Sequence, residues 1–84
     1  MSDQSVTTAL LREIQSRVDR ATAGPWKSFV EGRDHTAGSS FIRTGGEDIE
    51  LSGATNEDQD FIASARQDIP LLLAEIYRLR EAAK

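Results

Sequence analysis

The chain reads as a small α+β domain, with an N-terminal helix, a short three-stranded antiparallel meander and a C-terminal helix kinked or broken at Pro70. Three observations predict it. Residues 6–21 and 55–79 repeat apolar side chains at steps of three and four, the period of one helix face. Short strand-like runs at 26–30, 41–44 and 48–52 lie between them, bounded by glycine-containing polar segments. Finally, 84 residues suit a single domain, 1–84, and no repeat, linker or low-complexity segment divides it.

In the first helix Leu10, Leu11, Ile14, Val18 and Ala21 form the apolar stripe, while Arg12, Glu13, Gln15, Arg17, Asp19 and Arg20 take the other faces. Thr7 or Thr8 is placed to cap it. The arginines gather towards the C-terminal end, where they favour the helix dipole. Ala23-Gly24-Pro25-Trp26 is the stop signal: glycine can take a left-handed C-cap conformation, and proline forbids continuation.

Trp26 opens the first strand, with Trp26, Ser28 and Val30 on one face and Lys27 and Phe29 on the other. A polar loop follows, EGRDHTAGSS, holding the sole histidine, His35. It is too long for a two-residue turn, and long polar loops in small domains often carry function. It also suits a solvated hairpin in which Asp34 and the serines satisfy local backbone groups. Residues 41–44 and 48–52 make the second and third strands, with Ile49 and Leu51 inward and Gly45-Gly46 as the hairpin turn.

The last helix opens with Thr55 and Asp58, the spacing of a cap, and with acids that suit a helix N-terminus. Ile62, Ala65, Ile69, Leu72, Ile76 and Leu79 form its seam, widened by Phe61 and Leu73. Pro70 lacks an amide hydrogen and clashes with the preceding turn. The expectation is a helix ending near Arg66, a Gln67-Asp68 turn, and a second helix from Pro70 to Ala82.

Composition bounds the function. A chain this short buries only about 60% of its unfolded surface. It has no cysteine, so neither disulfides nor a thiolate metal site supplement the core. Such domains often complete their cores by oligomerising, and the near-3.5 repeat of the last helix makes it the place for self-association, as a dimer or higher. No run approaches the roughly 20 apolar residues of a membrane span. The N-terminus has an acid where a leader needs a basic segment, so the chain reads as cytoplasmic. The net charge is −4, with six acids between Glu47 and Asp60 and no Lys or Arg from Gly45 to Ala65, which disfavours duplex nucleic acid.

Those acids do not match a calcium-loop spacing, and helix-start and outward strand positions explain them. No second histidine completes a zinc site, no nucleophile stands beside a base, and Gly45-Gly46 lacks the pattern of a phosphate loop. The chain reads as a non-enzyme with no cofactor and no metal.

Two segments, RVDRATAGPW at 17–26 and DQDFIASARQDIPLLLAEIYRLR at 58–80, resemble a pattern shared by many small phage and bacterial proteins. Its signature is A-T-x-G-P-W followed, after a short sheet, by F-I-A-x-A-R-x-D-I-P-x-L-L-x-E-I. The helix–sheet–helix plan is also similar to the phage Thoeris anti-defence sponge proteins. That likeness implies a homo-oligomer in the host-cell cytoplasm that binds a cyclic nucleotide immune signal, a cyclic ADP-ribose isomer or cyclic oligonucleotide, without cleaving it, in pockets where protomers meet. It assigns no binding residue.

Chemistry names candidates independently. Adenine needs an aromatic face, and a pyrophosphate needs arginine or backbone amides. Trp26, Arg33, His35, Arg43, Asn56 and Arg66 would supply these. The alternative is a small acidic interaction module, an inhibitor of a host or defence protein, whose face around 47–60 meets a basic partner.

Overall fold

The computed structural model describes residues 5–34 and 38–83. The order is α1 (Thr8–Arg20), β1 (Lys27–Phe29), β2 (Phe41–Arg43) and α2 (Asn56–Ala82), an α+β arrangement in which every other element packs on α2.

α2 runs 27 residues, about 40 Å at the rise of an α-helix. Thr55 Oγ1 accepts from the Asp58 amide at 3.0 Å, and Asp58 Oδ2 accepts from the Thr55 amide at 3.1 Å, closing a capping box. The expected break does not occur: Pro70 stands inside one continuous helix, with neither a stop near Arg66 nor a turn at Gln67-Asp68. The reason lies in what packs on either side. Arg66 Nε donates to the Thr22 carbonyl at 3.0 Å, and Arg80 donates to the Val6 carbonyl and, at 3.3 Å, to Thr8 Oγ1. These ties hold α1 antiparallel along α2 across the proline. Tertiary packing on both flanks thus outweighs a local cost of about 3 kcal/mol.

α1 is capped by Thr7, whose Oγ1 accepts from the Leu10 amide at 3.0 Å, and it buries Leu11. Its other end differs from expectation. Ala21, in extended conformation, is the C-cap and donates to the Arg17 and Val18 carbonyls. Gly24 lies beyond the helix end and precedes a cis bond to Pro25.

β1 and β2 pair antiparallel, with Lys27 opposite Arg43, Ser28 opposite Ile42 and Phe29 opposite Phe41. Ser28 and the fully buried Ile42 face α2, and Val30 is buried just beyond the strand. On the outer face the Phe29 and Phe41 rings stack at 5.2 Å, with Lys27 and Arg43 over Phe29 at 5.2 and 4.8 Å.

The expected third strand over 48–52 shrinks to one bridge, Ile49 with Ile42. Exposure still alternates there, Ile49 and Leu51 half-buried and Asp48, Glu50 and Ser52 exposed. What prevents a longer ladder is the use made of the Gly45-Gly46 segment. The Gly45 amide donates to the Ala23 carbonyl at 2.8 Å, and Thr44 Oγ1 accepts from Gly46 and donates to the Glu47 carbonyl. The segment is committed to the loop after α1 and does not close a tight hairpin.

Candidate functional site

The two faces of α2 have different chemistry. One stripe, Gln59, Ala63 and Gln67, repeats every four residues and holds the sheet. The buried Gln59 amide donates from Nε2 to Ser28 Oγ at 2.8 Å and to the Phe29 and Phe41 carbonyls at 3.2 Å, reaching both strands. Gln67 Nε2 donates to the Trp26 carbonyl at 3.1 Å, while its Oε1 accepts from the Trp26 amide at 2.6 Å. These glutamines do for β1 what a third strand would have done. Sequence reading missed them because glutamine has no hydrophobic signature; the signal available was the i, i+4, i+8 stripe itself.

The opposite stripe is apolar and open. Leu72 is 61% exposed and Leu79 53%, with Ile62 and Ile69 also exposed. Beside it α1 presents Ile14, Arg17 and Val18, with Leu10 on the same stripe two turns before Arg17, so the helices wall a groove of about 360 Å³ whose floor includes Leu11 and Leu73. Arg17, Val18 and Ile69 also line a second recess of about 210 Å³, closed by Trp26 and Arg66 at the C-terminal end of α1. The two hollows therefore form one surface, apolar along its length and cationic at one end. The half-buried Trp26 ring is fixed by its Nε1 donating to the Thr22 carbonyl at 3.0 Å.

Of the predicted ligand residues that the structure describes, Trp26 and Arg66 line one recess. Arg33 is engaged elsewhere, donating to both oxygens of Asp60 at 2.8 and 3.0 Å and to Asp34 at 2.9 Å. Those carboxylates hold the guanidinium protonated, Asp60 most of all and Asp34 next. Asp60 falls from the ordinary 3.8 to about 2, through Arg33 first and a hydrogen bond from Ser28 second. Asp34 is lowered by Arg33 and by the Val30 amide, which donates to it at 2.7 Å. The Glu31 amide meanwhile donates to Ser40 Oγ at 3.0 Å, so Asp34 and Ser40 serve the local backbone, as a solvated loop requires. Arg43 lies on the outer sheet face over Phe29, and Asn56 is exposed at the start of α2. His35 lies outside the described residues.

Among the described residues no three acids or histidines converge to hold a metal ion, and no helix is long and apolar enough to cross a membrane. Comparison of the chain with known protein families, with curated proteins and with solved structures finds no match.

Proposed function

We propose that the protein is a non-catalytic binding module that works through the apolar face shared by α1 and α2. One observation carries the reading: the seam through Ile69, Leu72 and Leu79 stays open to water along the half of α2 that packs on α1. Burying a leucine is worth about 1.5–3 kcal/mol, so a partner that covers this seam gains substantially from it. Self-association through the C-terminal helix fits this reading, and so does an inhibitor that seats on a host or defence protein.

The test is a benzophenone side chain in place of Leu72, irradiated in cells, with the same group in place of the exposed Arg12, on the side of α1 away from the groove, as control. Position 72 is expected to cross-link to a protein and position 12 is not. An absence of cross-links at 72 would sink the reading.

A second reading rests on the cationic end of the same surface. Arg17 and Arg66 beside the Trp26 ring offer what a nucleotide needs, charge for phosphate and an aromatic face for the base. In this reading the protein sequesters a cyclic nucleotide signal where protomers meet. A ligand at 100 times its dissociation constant adds about 2.7 kcal/mol to stability. That is a rise on the order of 10 °C for a domain this size, to be sought with cyclic oligonucleotides and cyclic ADP-ribose isomers and lost in Arg66→Ala. A flat response across that panel removes the second reading and leaves the first.

A further inference from the structure

We propose that the occupant of the α1/α2 groove is a second copy of this chain, seated by a two-fold axis parallel to the helices, so that α1 of each copy lies on α2 of the other. The inference rests on the reading of this face as a binding surface. It adds the identity of the partner and the geometry of the contact.

The shape of the single chain asks for a second layer. Its radius of gyration is 16.0 Å, against about 12 Å for a compact domain of this length. Domains close their cores by stacking layers, and along the second half of α2 the α1/α2 pair is a single layer.

The area suffices. Val6, Leu10, Ile62, Ile69, Leu72 and Leu79 are each between a third and two thirds exposed. Together they amount to roughly 500 Å² per chain and, doubled by the two-fold, on the order of 1,000 Å², the threshold of a specific interface.

Charge selects the axis. Arg17 stands on the α1 rim of the groove, and its guanidinium makes no hydrogen bond or ion pair among the described residues. On the α2 rim, one helical position beyond Leu72 and Leu79, stand Asp68, equally unpartnered among the described residues, and Glu75, paired with Arg78. A two-fold across the helices lays α1 on α1 and α2 on α2, which keeps Arg17 away from Asp68 of the partner subunit. A two-fold along the helices sets α1 over the partner's α2, at unchanged height. Arg17 packs beside Ile69, so it arrives level with the adjacent Asp68 of the partner subunit, twice per dimer. All four neighbouring helix pairs are then antiparallel, the arrangement of an up-and-down four-helix bundle.

Sedimentation equilibrium on the full chain tests this. The wild type is expected at twice 9.2 kDa, and Leu72→Glu at 9.2 kDa with its helix content intact, since that side chain is outside the monomer core. Arg17→Glu should weaken the dimer roughly tenfold, and Arg17→Glu with Asp68→Arg should recover most of it. A folded wild type that stays monomeric at 100 μM or so, or a dimer that the reversal leaves unchanged, overturns the proposal. If position 72 still cross-links to a different protein in cells, the binding surface stands and only the second copy falls; with no cross-link, both fall.

Discussion

The side-chain amide of Gln67 closes a ring of two hydrogen bonds with the backbone of Trp26, accepting from its amide and donating to its carbonyl. A glutamine thereby occupies the place of a neighbouring strand at the first residue after Pro25. Gln67→Leu keeps the volume and leaves both Trp26 groups without that partner. The expected loss is about 1–3 kcal/mol in urea denaturation, with the midpoint falling and the slope unchanged.

Asp60 makes stability depend on acid. Its folded value, about 2, lies below the ordinary 3.8, so the unfolded chain takes up its proton first as pH falls. The contribution is complete above about pH 5 and is lost as pH drops through 4 towards 2. Asp60→Asn should be less stable than wild type at pH 7, with the gap narrowing as pH falls and most of it gone by about pH 2. Thermal unfolding at pH 7, 4, 3 and 2 reads this directly, and a gap that stays constant would contradict it.

Gly45 is required by a close approach. A Cβ built there would stand 2.7 Å from the Ala23 carbonyl oxygen, a backbone atom that cannot swing aside. Gly45→Ala should cost about 1–3 kcal/mol. Gly46→Ala meets side chains, the Thr22 methyl at 3.2 Å and Thr44 Oγ1 at 3.8 Å, and should cost less. The ordering of the two midpoints is the check.

Pro70 is tolerated and does not organise the helix. Pro70→Ala restores a backbone donor within α2 and should raise stability by about 1–3 kcal/mol, visible as a higher melting temperature. A lower one would mean that the proline is needed where it stands.

Much of the fold is legible in the residues. The Thr7 and Thr55 caps, the apolar stripe of α1 and the inward face of β1 follow from spacing alone, because each depends on neighbours within one element. The third strand and the break at Pro70 misled because their outcomes depend on distant partners: Ala23 claims Gly45, and α1 spans the proline. The same limit applies to the site. Arginine at position 33 looks available for an anion, yet Asp60, 27 residues away, takes it. The seam of α2 reads as core in sequence, whereas half its width lies open, since periodicity states which residues share a face and not what covers it.

α1 and the sheet do not pack on each other; among helices and strands each touches only α2. α2 is consequently the sole beam of the molecule, with the sheet hung from its first half and α1 laid along its second. An event at one end reaches the other along this helix, through the stretch that contains Pro70, or through the short segment between α1 and β1 that Gly45 ties down at Ala23. Loosening of the strands need not release α1, and a partner gripping the open face of α2 stiffens both ends at once.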